Sequence, residues 1–191
     1  MKFKLNRAFT AASGELDGLI YRNVRGQVIV SRKADLSNVV YSEEQLAHQE
    51  RFKQAAAYGK AALANPTIRA MYEAAAKDKD MPVFAATIAD FFNAPTIDNV
   101  DVSAYHGQVG DLISIMARDD FGVASVHVTI TDSDNGNALI ESGNAVETAV
   151  GSGQWVYTAT AAVPAGTELK VNVVATDRPG GTAVTAKPKF L

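Results

Sequence analysis

Ser125-Val126-His127-Val128-Thr129-Ile130-Thr131 and Leu169-Lys170-Val171-Asn172-Val173-Val174 are the two stretches whose reading decides the fold. Val126, Val128 and Ile130 alternate with His127, Thr129 and Thr131, and Leu169, Val171 and Val173 alternate with Lys170, Asn172 and Val174. Successive side chains of an extended chain point to opposite faces, so both stretches predict strands with one face in a core. Further β-prone segments lie at 97–105, 111–118, 138–142, 154–161 and 183–187, and Gly, Asn and Asp turns separate them. Seven short strands at fairly even spacing predict a β-sandwich over 96–191.

Upstream of Pro95 the period changes from 2 to 3.6. Ser42 followed by Gln45 is a capping box, and the helical pattern behind it runs to Ala64. Phe52, Ala55, Ala56, Gly59, Ala62 and Leu63 share one face, whose small residues allow another backbone to come close. Asn65-Pro66 predicts a new N-cap and first helical turn, with Ile68, Met71, Tyr72 and Ala75 as the buried stripe. Met81-Pro82 opens a third helix with Phe84, Ile88, Phe91 and Phe92 as its core groups, and Asn93-Ala94-Pro95 ends it. Residues 1–17 have no clear period and read as an extended arm. Leu19-Ile20-Tyr21-Arg22 and Gln27-Val28-Ile29-Val30-Ser31 predict a β-hairpin at 18–33, turning near Gly26. The expected fold class is therefore α+β: a basic arm and hairpin (1–33), a three-helix region (34–95) and an all-β sandwich (96–191).

Two motifs carry a resemblance. Ala117-Arg118-Asp119-Asp120-Phe121-Gly122-Val123-Ala124-Ser125-Val126 resembles the second-to-third strand crossing of bacterial immunoglobulin-like and fibronectin type III-like modules. Val173-Val174-Ala175-Thr176-Asp177-Arg178-Pro179-Gly180-Gly181 resembles the end of their penultimate strand, and Trp155 and Tyr157 sit where such modules keep core aromatics. This resemblance implies an immunoglobulin-like sandwich for 97–191 and is silent about activity, since such modules serve as spacers, adhesins and virion ornaments alike. In the amino-terminal half, Tyr21-Arg22, Gly26, Val30-Ser31-Arg32-Lys33 and Glu44-Gln45-Leu46 resemble uncharacterised bacterial proteins.

The 191 residues contain no cysteine, which excludes disulfide staples and thiolate chemistry. The first residues lack the apolar run of a classical signal peptide, and no segment is apolar for the length of a membrane span, so export by another route or a virion setting stays open. The net charge of −3 is unevenly spread: residues 1–33 carry +5, residues 34–96 carry −2 and residues 97–191 carry −6. His48, His106 and His127 lack metal-ligand spacing, and Asp132-Ser133-Asp134-Asn135-Gly136-Asn137 fails the EF-hand pattern and reads as a hairpin turn. Asp119-Asp120 suits a hard cation, but aspartates in such turns ordinarily cap backbone N–H groups. No serine stands in a recognised triad motif, so the expectation is a non-enzyme without catalytic residues, metal or cofactor. The remaining candidate site is the hairpin, with Tyr21, Arg22, Arg25, Val28, Val30, Arg32 and Lys33 as an assembly interface. The expected partner is a second copy of the chain, giving a homo-oligomer or a filament, sheath or virion-type shell. Adhesion through the sandwich loops, with a glycan for instance, and polyanion binding by the basic arm are the alternatives.

Overall fold

A computed structural model describes residues 13–24, 27–35, 37 and 39–191, and the chain divides into two compact units, one ending at Leu46 and one spanning Ala47–Leu191. In the first, β1 (Gly14–Leu16), β2 (Leu19–Val24) and β3 (Gln27–Arg32) form an antiparallel sheet in the order β1-β2-β3. The expected hairpin is thus two strands of three. Residues 14–16, read from sequence as part of the arm, fold back because Asp17 and Gly18 both adopt positive φ (50° and 71°), the pattern of a two-residue hairpin turn. The turn residues Arg25 and Gly26, and residues 1–12 of the expected arm, lie outside the described residues.

In the second unit two four-stranded antiparallel sheets share one hydrophobic core. One has the order β4-β5-β9-β8, from β4 (Thr96–Asp101), β5 (Leu112–Arg118), β8 (Val146–Glu147) and β9 (Gln154–Thr158). The other has the order β11-β10-β6-β7, from β6 (Ser125–Asp132), β7 (Ala138–Asn144), β10 (Glu168–Thr176) and β11 (Thr182–Phe190). Val126, Val128 and Ile130 of β6 and Leu169, Val171 and Val173 of β10 are fully buried. They meet Ile113, Ile115, Trp155 and Tyr157 of the other sheet, which is the arrangement of a β-sandwich.

Several strand ends depart from expectation. The strand expected over 97–105 stops at Asp101, whose Oδ1 accepts from the Ser103 N–H at 2.9 Å and turns the chain. The strand expected over 138–142 runs on to Asn144, and after buried Ala145 the chain enters the opposite sheet as β8. The last strand extends past Pro188, which an edge strand tolerates because its missing N–H breaks no inner ladder.

The described residues also form three helices, α1 (Glu43–Ala64), α2 (Pro66–Asp78) and α3 (Val83–Phe92). Ser42 and Gln45 form the expected capping box, each accepting the other's backbone N–H, at 2.9 and 3.3 Å. Asn65 caps α2 through the N–H groups of Thr67 and Ile68. The inward stripes differ from those expected: Tyr72 and Ala76 are buried on α2 while Met71 is exposed, and Ala86, Thr87 and Asp90 are buried on α3 while Phe84 is exposed. The small face of α1 is occupied within the chain. A Cβ on Gly59 would lie 2.4 Å from Thr87 Oγ1 and 3.0 Å from Phe84 Cε2. Gly59→Ala is therefore expected to destabilise the protein: overpacking of about 1–3 kcal/mol outweighs the roughly 0.8–1.0 kcal/mol that alanine adds to helix propensity. A urea midpoint at or above that of the parent would contradict this close approach.

Candidate functional site

The hairpin residues singled out from sequence are distributed over two faces. Residues directly opposite one another in antiparallel strands share a face, so the register Tyr21↔Val30, Asn23↔Val28 and Leu19↔Arg32 puts Tyr21, Val28, Val30 and Arg32 on one side. Leu16 and Leu19 join them through the pair Leu16↔Leu19. Arg22 pairs with Ile29 and belongs to the opposite face. Lys33 Nζ donates to Glu15 Oε1 at 2.9 Å, so its charge is already paired. One face is thus mainly apolar, and the basic groups form no continuous stripe across it. No residue of 13–46 is buried, among the described residues.

A second constellation was missed from sequence. Asp90 of α3, Asp119 just beyond β5 and Asp177 just beyond β10 each bring one carboxylate oxygen to within 4.8 Å of the others. Local structure explains each placement. Asp119 Oδ2 accepts from the Phe121 N–H at 2.7 Å, which turns the chain after β5 and seats Phe121 against Tyr72 with ring centroids 5.9 Å apart. Asp177 Oδ1 accepts from the N–H groups of Gly180 and Gly181 at 2.8 and 2.5 Å. A Cβ at 181 would stand 2.4 Å from Asp177 Oδ2, so a larger residue there would have to displace that carboxylate. Asp90 Oδ2 accepts from the Tyr72 hydroxyl, which also shares a 2.7 Å hydrogen bond with the Tyr58 hydroxyl.

The electrostatics of this cluster are unfavourable without a counter-charge. Burial pushes Asp90 up to about 6, with Asp119 and Asp177 adding to the shift against the hydrogen bond from Tyr72 and the charge of Arg178. Burial likewise raises Asp177, opposed by the N–H groups of Gly181 and Gly180. Arg178 is the neighbouring cation, but its Nη1 donates to the Phe121 carbonyl at 2.5 Å, and it forms no ion pair among the described residues. The neighbouring carboxylate that sequence reading paired with Asp119 points elsewhere: Asp120 meets Lys79 Nζ at 3.2 Å and Asn93 Nδ2 at 2.9 Å. The signal that could have revealed the cluster is Asp90 itself, a carboxylate on the same helical stripe as Ala86 and Thr87 in the otherwise apolar Val83–Phe92.

The three histidines lie apart, His48 stacked on Phe92 and His127 Nδ1 bonded to Asn144 Oδ1 at 2.8 Å. Asp132 Oδ1 accepts from the N–H groups of Asp134 and Asn135, so the 132–137 segment is a capped turn between β6 and β7. No helix of the described residues is long and apolar enough to cross a membrane. Comparison with protein-family models, with curated proteins and with solved structures yields no match.

Proposed function

We propose that this chain is a non-enzymatic structural subunit that self-assembles through its amino-terminal sheet, the rest serving as an immunoglobulin-like body. The observation that carries this reading is the sheet Gly14–Arg32: it presents Leu16, Leu19, Tyr21, Val28 and Val30 on one face, yet buries none of its described residues. Leu16 is 68% exposed and Leu19, Tyr21, Val28 and Val30 are half-buried, and a small sheet whose apolar face is incompletely covered is marginal in water and gains from another surface. A second copy fits the charges, since residues 1–33 carry +5 and residues 97–191 carry −6. The sandwich supplies an open strand edge at β11, to which an extended segment could add. Its strand orders, β4-β5-β9-β8 and β11-β10-β6-β7, support the immunoglobulin-like reading of the body, because they follow the two-sheet partition of that topology. Part of the small face of α1 is already occupied within the chain, where Gly59 packs against Thr87 and Phe84 of α3.

Val30→Glu in the full chain tests the proposal by placing a charge on the apolar face. Light scattering over a concentration series is expected to show the parent as an oligomer or filament and the variant associating about tenfold more weakly or worse, since burying one valine contributes about 1.5–3 kcal/mol. Removal of residues 1–33 should abolish association. Equal particle mass for parent, variant and truncated chain at every concentration would refute self-assembly through this sheet.

A further inference from the structure

We propose that Asp90, Asp119 and Asp177 form a binding site for a hard divalent cation, with calcium the preferred ion. Their ligand oxygens lie within 4.8 Å of one another. Calcium holds oxygens at about 2.3–2.6 Å, so a single ion spans such a set. A cluster of carboxylates alone would be weak support, because acidic groups also gather at capped turns. Here two oxygens are left over after the capping is complete. Asp90 Oδ1 and Asp119 Oδ1 are buried and find no hydrogen-bond partner among the described residues, and the Asp90 side chain is only 1% exposed. A buried acceptor without a donor is costly, and an orphaned carboxylate oxygen more so. The remaining oxygens of Asp90 and Asp119, and Oδ1 of Asp177, are engaged by Tyr72, Phe121 and the glycine pair, which fixes the three carboxylates in position.

The donor set decides the class of ion. It is all oxygen, without imidazole or thiolate, which disfavours zinc and the softer transition metals. Three carboxylates drawn from a helix end, a strand exit and a turn suit the tolerant coordination of calcium better than the strict octahedron of magnesium. Of the three, Asp119 also lines a surface cleft, with Asn93, Thr96 and Arg118. Because Asp119 follows β5 and Asp177 follows β10, one ion would join both sheets of the sandwich to α3.

The test uses the full chain stripped with EDTA and titrated with calcium, magnesium or terbium. Calcium at about a hundredfold excess over its dissociation constant should raise Tm by roughly 5–10 °C. Terbium should show emission sensitised through Tyr72 and Tyr58 and displaced by calcium. Asp119→Asn and Asp177→Asn retain a side-chain oxygen for the capping bonds, so both should fold. In EDTA each should melt no lower than the parent, because a like charge is gone, while the calcium shift and terbium emission should fall at least tenfold. Absence of a calcium shift and of terbium emission in the parent would overturn the site. A calcium response unchanged in both variants would overturn the ligand set, and an equal response to magnesium would overturn the assignment to calcium. Assembly is read by particle mass and cation binding by Tm and emission, so failure of either reading is seen separately.

Discussion

Replacing Glu141 by alanine is expected to lower the unfolding free energy by about 3 kcal/mol, because several donors lose their shared acceptor and each buried group left unsatisfied costs about 1–3 kcal/mol. Glu141 lies in β7 and is 7% exposed, so its carboxylate is inside the sandwich. Its Oε2 accepts from the Tyr157 hydroxyl at 3.0 Å, from Thr160 N and Oγ1 at 2.7 and 2.6 Å, and from Ala161 N at 3.2 Å. Tyr157 belongs to β9 in the other sheet, so a single oxygen ties the two layers together at this edge. Burial, together with the bond to Glu141, pushes the Tyr157 hydroxyl up to about 12, so it stays a donor at any ordinary pH. Glu141→Gln keeps one acceptor oxygen and should lie between alanine and the parent. Urea unfolding followed by Trp155 fluorescence measures the series. An alanine variant within about 1 kcal/mol of the parent would show that this clasp adds nothing to stability.

That clasp also explains a strand boundary that periodicity could not supply. The alternation of Trp155 and Tyr157 predicts a strand reaching 161, but β9 ends at Thr158 because the N–H groups of Thr160 and Ala161 turn onto Glu141 rather than a neighbouring strand. Where period and local turn chemistry agree, as in Val126-Val128-Ile130 followed by the Asp132 turn, the sequence is readable from pattern alone. Where a boundary depends on a residue far along the chain, it is not. The same division holds for the sites. Asp17-Gly18 is a local hairpin signal, sufficient to extend the amino-terminal sheet by a strand. The carboxylate cluster is non-local: Asp119 and Asp177 each look like ordinary turn-capping aspartates, and only the fold brings Asp90 to them. On α3 the bulky residues Phe84, Ile88, Phe91 and Phe92 suggested the inner stripe by size, whereas the buried stripe is Ala86, Thr87 and Asp90. Close packing against Gly59 and the carboxylate cluster, rather than side-chain volume, sets that orientation.

Ile130→Ala should produce the second large effect, a loss of about 2–5 kcal/mol, or a Tm fall of roughly 4–20 °C for a domain of this size. Ile130 is fully buried in β6, opposite Val171 of β10 and Glu141 of β7, so truncation leaves a void within the shared core. Leu139 provides the control. It is also aliphatic and lies in the neighbouring strand, but it is 65% exposed, and Leu139→Ala should change stability by no more than about 0.5 kcal/mol. The β6–β7 register shifts between Ile130 and Thr131, which lets Glu141 pair with Ile130 while Leu139 pairs with Thr131. A one-residue slip in either strand would send its side chains to the opposite face. Comparable losses for Ile130→Ala and Leu139→Ala would mean that β7 has slipped, with Leu139 inside and Glu141 outside. The Glu141 clasp could not then form, so the contrast between these two truncations and the large effect of Glu141→Ala must stand or fall together.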